Sequence, residues 1–168
     1  MINPLSSSHP DLHIRFAVAA DVGLILEFIR GLADYEKLAH EVVADEDGLS
    51  RSLFGAPPVA EVLIAELRGE PAGFALFFRS FSTFLGKPGI YLEDLFVKPE
   101  HRGQGIGREL LGCLARIAKQ RDCGRLEWSV LDWNEPAIRF YRSLGARALE
   151  GWSVFRLTGD SLNGLAGE

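Results

Sequence analysis

Cysteine is scarce in this chain, and its histidines have no regular spacing. The 168 residues include two cysteines, Cys113 and Cys123, which are too few for a disulfide scaffold. The four histidines are scattered, and no Cys/His spacing suits a metal ion. We therefore expect no metal site and two reduced cytoplasmic thiols that do not act as nucleophiles.

Long apolar runs and an excess of positive charge are also missing. No stretch approaches the roughly 20 uninterrupted apolar residues of a membrane span, although 47% of the residues are hydrophobic. Residues 1–11 are rich in Ser and Pro and lack the regions of a signal peptide. We expect a flexible lead-in there and one domain over residues 12–168. A net charge of −5 argues against nucleic acid as a partner and allows a cationic substrate.

The chain does contain a strand that runs into a glycine-rich turn and then a helix. The turn reads Arg102-Gly103-Gln104-Gly105-Ile106-Gly107-Arg108. Glycines let a ligand approach the backbone, and a helix start presents unpaired N–H groups, so a phosphate-binding loop is predicted. A P-loop needs Lys and Ser or Thr after its last glycine, and a dinucleotide fingerprint needs glycine in place of Arg108. A tight turn without a ligand is the alternative.

A second motif follows the glycine turn. It reads Asn134-Glu135-Pro136-Ala137-Ile138-Arg139-Phe140-Tyr141, and Gly145 comes four residues later. Asn134 is suited to cap a helix, Pro136 to its first turn and Gly145 to a left-handed end. Asn134 and Tyr141 are two helical turns apart, so we expect them on one face.

The two motifs together resemble the signatures of the GNAT superfamily of N-acetyltransferases. Three further segments resemble its spermidine/spermine and thialysine N-acetyltransferase subgroup: Leu32-Ala33-Asp34-Tyr35-Glu36, Leu92-Glu93-Asp94-Leu95-Phe96-Val97 and Trp133-Asn134-Glu135-Pro136. Two features differ from the subgroup. Leu95 stands where an aromatic residue is common in the animal diamine enzymes, and the segment before Trp152 is shorter.

The resemblance implies a fold, a reaction and an assembly. The fold is a single α/β (α+β) domain with about four helices. Its twisted, mostly antiparallel mixed sheet has six to seven strands and a splayed cleft for acetyl-CoA. The order along the chain reads βααβββαβαβ, with the last strand within residues 147–157. The reaction is direct transfer of an acetyl group from acetyl-CoA, without a metal, to the primary amine of a small cationic molecule. The assembly is a homodimer, with the C-terminal strand contributing to its contacts.

Acetyl transfer needs a proton acceptor for the amine and a proton donor for the leaving thiolate. Neighbours on a strand point to opposite faces, so we expect either Glu93 or Asp94 inside the cleft. The resemblance favours Glu93 as the acceptor and Tyr141 as the donor. An ordinary core aromatic is the alternative for Tyr141.

The resemblance also implies the binding residues. Those for the cofactor are Leu95, Phe96, Val97, Arg102, Gly103, Gln104, Gly105, Ile106, Gly107, Arg108, Asn134, Pro136, Ala137 and Tyr141. Those for the amine are Tyr35, Glu36, Glu93, Asp94, Glu127, Trp128, Ser129 and Glu150. Carboxylates around one cleft attract a cationic amine, and an aromatic ring adds a cation–π contact. Solvated surface charges are the alternative for Glu36, Glu127 and Glu150. Acetylation of a protein lysine or N-terminus, and acyl-CoA binding without catalysis, also remain open.

Overall fold

The computed structural model describes residues 3–167, which form two compact units. The first unit ends at Ser129 and the second begins at Val130. The elements of the first unit are β1 (Leu12–Phe16), α1 (Val22–Glu36), α2 (Glu46–Phe54), β2 (Glu61–Leu67), β3 (Glu70–Ser82), β4 (Lys87–Val97), α3 (Ile106–Gln120) and β5 (Leu126–Trp128). The second unit contains α4 (Glu135–Ser143) and α5 (Gly159–Ala166).

The five strands form one sheet in the order β1-β2-β3-β4-β5. The first three pairings are antiparallel and the last, between β4 and β5, is parallel. A two-residue turn joins β2 to β3, with Arg68 at φ 54° and Gly69 at φ 84°. Two successive positive φ angles are typical of the type I′ turn, whose twist matches that of a hairpin. The mixed, mostly antiparallel sheet confirms the predicted fold class.

Helices cover both faces of the sheet. Phe28 of α1 and Leu53 of α2 pack on one face against a cluster that includes Phe74, Leu76 and Phe96. Alternate strand residues point to the opposite face, where the Arg121 guanidinium at the end of α3 lies 5.9 Å from the centre of the Phe77 ring. Five apolar residues of α3 that recur at helical spacing are buried: Ile106, Leu110, Leu114, Ile117 and Ala118.

The C-terminal part of the fold differs from the prediction. Within residues 3–167 the sheet has five strands instead of six to seven, and residues 147–157 form no strand. Trp152, Val154 and Phe155 are 77%, 88% and 94% exposed. Residues with strand propensity become a strand only beside a pairing partner, and the described part of the second unit contains no other strand.

The described residues contain five α-helices, where about four were expected. The additional helix is α5, for which Thr158 is the N-cap residue and Asp160 lies in the first turn. A hydroxyl residue followed by an acid is a usual helix-start signal. The sequence therefore contains a start signal for α5, although the expected order of elements did not include this helix.

The predicted lead-in, residues 1–11, begins with two residues outside the described range. Beyond them, the Arg116 side chain on α3 donates a hydrogen bond to the Pro4 carbonyl at 3.0 Å and another to the Ser6 carbonyl. Ser8 hydrogen-bonds Glu109 in the first turn of the same helix. Among residues 3–167 no helix is both long and apolar enough to cross a membrane.

Candidate active site

The site begins where β4 loses its parallel neighbour. The pairs between β4 and β5 are Ile90–Leu126, Tyr91–Glu127 and Leu92–Trp128. In the described residues, β5 pairs with no part of β4 beyond them, so residues 93–97 leave that edge of β4 open. Unpaired N–H and C=O groups on a strand edge can bond an extended ligand. This is the splayed geometry expected from the sequence.

A β-bulge lies at the point where the strands separate. Asp94 is opposite Leu76 on β3 and Leu92 is opposite Phe77, which leaves Glu93 as the extra residue. Directly opposed residues of an antiparallel pair share a face. Asp94 therefore lies on the face of Leu76, towards α1, and Glu93 is exposed. Bulges next to active sites commonly redirect a side chain in this way.

The bulge and the end of α1 bring together Glu36, Glu93 and Asp94, which we call the acidic cluster. Burial, together with the charges of Glu93 and Glu36, raises the pKa of Asp94 to about 6. Burial also raises the pKa of Glu36. Within residues 3–167, neither Asp94 nor Glu36 has an ion pair with a cationic side chain. A cationic ligand would relieve the repulsion among these carboxylates.

The glycine turn has the geometry of an anion cradle. Gly103 and Gly105 have φ angles of 77° and 83°, which residues with a side chain rarely adopt. A Cβ at either glycine would have open space around it, with no heavy atom within 4 Å. Ile106 is buried and anchors the start of α3, whose first N–H groups have no partner within the helix. This backbone fits the pyrophosphate of acetyl-CoA, and the exposed Arg102, Gln104 and Arg108 flank it.

Arg102 connects the glycine turn to α1. Its Nε–H donates a hydrogen bond to the Val97 carbonyl at 3.0 Å. Its guanidinium carbon lies 4.5 Å from the centre of the Tyr35 ring and 5.8 Å from that of Phe96. A residue predicted to bind the cofactor thus contacts one predicted to bind the amine. No local pattern in the sequence indicates this contact.

The predicted amine-binding residues on β5 have partners within the first unit. The Glu127 carboxylate forms an ion pair with Arg125 at 2.7 Å. The Ser129 hydroxyl lies 2.7 Å from the Tyr91 hydroxyl, and Trp128 is half-buried. The charge of Glu127 is therefore compensated within the fold, unlike the charges of the acidic cluster.

The remaining predicted site residues belong to the second unit. Asn134 is buried, and its side-chain oxygen accepts a hydrogen bond from the Ala137 N–H at 3.3 Å, as expected of a helix cap. Pro136 is in the first turn of α4, and the half-buried Tyr141 ring lies 5.4 Å from that of Phe140. Glu150 is exposed, beyond the end of α4.

Comparison with known proteins supports the family that the two motifs indicate. The model of the acetyltransferase (GNAT) family matches residues 27–146, a range that includes both. Thialysine N-epsilon-acetyltransferase of Bos taurus is 43% identical over 166 residues, covering 92% of this chain and 97% of the relative. L-ornithine N5-acetyltransferase of Arabidopsis thaliana is 32% identical over 197 residues, covering 90% and 86%.

A solved structure is similar as well. An integron cassette protein from the mobile metagenome of V. cholerae aligns with a TM-score of 0.78 and 29% identity. The alignment covers 94% of this chain and 99% of that protein. The family model and the relatives together lead to one conclusion: this chain belongs to the GNAT family of acetyltransferases.

Proposed function

We propose that this protein transfers an acetyl group from acetyl-CoA to the primary amine of a small cationic substrate, such as a polyamine, thialysine or a lysine-like amino acid. The observation that carries the proposal is the acidic cluster, which forms no ion pair among the described residues 3–167 and lies beside the open edge of β4. The names of the two relatives above, which concern thialysine and L-ornithine, also support a small amine.

Within the acidic cluster we assign different roles to the carboxylates. A lysine-like amine has a pKa near 10, so it arrives protonated and must lose a proton before it reacts. Glu93, which is exposed at the bulge, is the proposed proton acceptor. Asp94 and Glu36 attract the substrate's positive charge, and the Tyr35 ring contributes a cation–π contact. Trp128, Ser129 and Glu150 remain further candidates, whereas Glu127 is a weaker one because Arg125 compensates its charge.

Acetyl-CoA, when bound, supplies an activated acetyl thioester. Residues 103–108 and Arg102 bind its phosphates, and the open edge of β4 at Leu95, Phe96 and Val97 bonds its extended arm. Asn134, Pro136 and Ala137, at the start of α4, are further proposed cofactor-binding residues. A backbone N–H of the β4 edge polarises the thioester carbonyl.

The transfer is direct, in a ternary complex. The amine nitrogen forms a bond to the acetyl carbon and the carbon–sulfur bond breaks. Glu93 accepts the proton that the ammonium loses before attack and later releases it to solvent, and Tyr141 donates its phenolic proton to the thiolate. The second proton, which leaves the nitrogen as the amide forms, restores the Tyr141 hydroxyl. A cysteine intermediate is disfavoured because Cys113 is buried and its burial raises the pKa of the thiol.

We also propose a homodimer in which residues 152–157 contact a second copy. Trp152, Val154 and Phe155 expose more apolar surface than a monomer usually leaves in one segment. Residues 152–157 belong to no helix or strand, so their backbone is available to pair with a sheet edge of the other copy. Light scattering at micromolar concentration should give twice the monomer mass, and a monomeric mass would contradict this assembly.

A reducing compartment fits the thiols. Cys113 and Cys123 are both free in the structure, as is usual for cytoplasmic proteins. We propose the cytoplasm as the location, and fractionation of the source cells would test it.

A panel of amines tests the function. The purified protein is mixed with acetyl-CoA and spermidine, thialysine, ornithine, lysine or a lysine-containing peptide, and release of free thiol is measured. We expect turnover with small amines that carry a second charged group. Turnover with the peptide alone would instead indicate a protein acetyltransferase, and no turnover with any amine would contradict the proposal.

Calorimetry with Gly105→Asp tests the phosphate loop. The substitution puts a side chain and a negative charge on the loop, so we expect acetyl-CoA affinity to fall by more than about 100-fold, or about 2.8 kcal/mol. Gly69→Asp is the matched control, because Gly69 also has a positive φ and open space around it but lies in the β2–β3 turn. Equal affinities in the two variants would remove the loop from cofactor binding.

A further inference from the structure

We propose that the contact between Arg102 and Tyr35 couples the phosphate loop to the end of α1, so that bound coenzyme A raises the affinity for the amine. This inference rests on the proposed function and adds a positioning role for both residues. Its basis is the stacked pair that joins two binding regions which the sequence keeps far apart.

On the side of the phosphate loop, one N–H of the Arg102 side chain is bonded within the fold, and the others can reach a ligand. Its Nε–H is bonded to the carbonyl of Val97, the last residue of β4. A guanidinium carries five N–H donors in a planar fork, which suits a phosphate and can stack on a ring at the same time. Arg102 is exposed and adjoins Gly103, so a phosphate bound to the glycines can also reach it.

On the other side, Tyr35 is the second-last residue of α1 and Glu36 is the last. Lys37 caps the helix at φ 63°, a left-handed conformation that costs a residue with a side chain about 1–2 kcal/mol. Such conformations persist where surrounding contacts hold them. The stack of Arg102 on Tyr35 is one contact that holds this end of α1.

The same end of α1 is tightly packed against β4. A Cβ on Gly31 would lie 2.9 Å from Cζ of the Phe96 ring, so the absence of a side chain there lets Phe96 lie directly on the helix. The Arg102 guanidinium carbon is 5.8 Å from the centre of that ring. A movement of Arg102 therefore affects the position of α1 through the contacts of Arg102 with both Tyr35 and Phe96.

The consequence for the amine follows from Glu36. This carboxylate directly follows Tyr35, and its charge acts on Asp94 across the cleft. A phosphate bound to Arg102 fixes its guanidinium, and the guanidinium in turn fixes the Tyr35 ring and the adjacent Glu36. The amine then binds without the entropic cost of ordering these two residues. Coupling between two sites is commonly 5- to 150-fold in affinity, and we expect roughly 10-fold here.

Calorimetry measures this coupling directly. Thialysine and spermidine are titrated into the protein alone and into the protein saturated with coenzyme A, which has no acetyl group to transfer. The ratio of the two dissociation constants is the coupling factor. For the parent we expect a factor of roughly 10 in favour of the coenzyme A complex, within the usual range.

Substitutions on each side of the contact test its role. Tyr35→Leu removes the ring, so the factor should fall to within about twofold of unity, while Tyr35→Phe keeps the stack and should retain it. Arg102→Lys keeps the charge and loses the planar fork, so the factor should also fall. The double variant Arg102→Lys/Tyr35→Leu should lower the factor no further than either change alone.

Two results would overturn the inference. One is a parent factor of unity, and the other is a Tyr35→Leu factor equal to that of the parent in a variant with an unchanged melting temperature. If Tyr35→Leu does not fold, the coupling factor of Arg102→Lys is the test, and a factor equal to that of the parent would overturn the inference. Acetylation of an amine with no coupling would overturn this inference and leave the proposed function intact, whereas failure to bind or acetylate any amine would overturn both.

Discussion

Two groups of carboxylates in this protein have opposite electrostatic properties. One group consists of Asp21 and Glu66 around Arg15, and we call these three residues the paired cluster. From the Arg15 guanidinium, Asp21 accepts two hydrogen bonds of 2.8 and 2.9 Å and Glu66 accepts one of 2.8 Å. The hydrogen bond from Arg15 lowers the pKa of Asp21. Burial acts to raise the pKa of Glu66, but hydrogen bonds from Arg15 and His13 outweigh it and the net pKa is lowered. In the acidic cluster the pKa of Asp94 is raised instead.

The difference lies in where the compensating cation comes from. In the paired cluster the fold itself supplies Arg15, and the carboxylates contribute to stability. In the acidic cluster the described residues supply no ion pair to Asp94, and two further carboxylates surround it. Active sites commonly accept such a cost because a substrate later supplies the missing charge.

The largest expected effect is on turnover in Glu93→Gln. The change removes the proposed proton acceptor, so kcat/KM should fall by roughly 10²–10⁴-fold. The loss should be greatest at low pH, where the amine is more fully protonated. Glu66→Gln in the paired cluster is the control and should retain full turnover. Equal activity in both variants would show that the two clusters do not differ in function.

Tyr141→Phe acts on the leaving thiolate instead of the amine. The ring remains and the donor is lost, so turnover should fall by roughly 10²–10⁴-fold while acetyl-CoA affinity stays near that of the parent. Steady-state kinetics and calorimetry measure the two quantities. Turnover within about threefold of the parent, far below the usual loss of an acid catalyst, would make Tyr141 a packing residue.

We expect Arg15→Met to lower the stability of the protein, because it removes the guanidinium that pairs with the carboxylates of the paired cluster. The partly buried carboxylates are left unpaired, so the free energy of unfolding at pH 7 should fall by about 2–4 kcal/mol. Because the pKa of Asp21 is lowered in the folded state, this contribution is present above its ordinary value of 3.8 and is lost as the pH falls. Urea unfolding should thus give a smaller difference at pH 3 than at pH 7.

The smallest change that we expect is a gain in stability, in Asp94→Asn. The folded-state pKa of Asp94 is raised from 3.8 to about 6, so the carboxyl costs stability as the pH rises through this interval. This shift corresponds to at most about 3 kcal/mol, and Asp94→Asn should recover about 1–2 kcal/mol at pH 8 and almost none at pH 4. Urea unfolding at both pH values checks this. A variant that is less stable than the parent at pH 8 would mean that Asp94 has a partner in the fold.

Local signals predicted the parts of the site that depend on backbone conformation. The glycine turn of residues 103–107, the Asn134 cap and the left-handed Gly145 follow from residue types at fixed spacing. The turn of Arg68 and Gly69, with its two positive φ angles, is likewise a local feature. Each of these features is decided by the preferences of a few consecutive residues.

Pairings between distant residues could not be predicted in this way. The bulge at Glu93 depends on the register of β4 against β3, and it decides that Asp94 faces α1. The ion pair of Glu127 with Arg125 and the stack of Arg102 on Tyr35 likewise have no local signature. Residues 147–157 are the opposite case: they have strand propensity, but the described part of the second unit contains no strand that could pair with them.

The glycine loop, the helix caps, the order of most elements and the family could be predicted from residue type and spacing along the chain. The folded structure was needed to show which carboxylates lie in the acidic cluster and which have a cation. Strand register and burial set the neighbours of each charge, and those neighbours, more than the residue's identity, set its pKa.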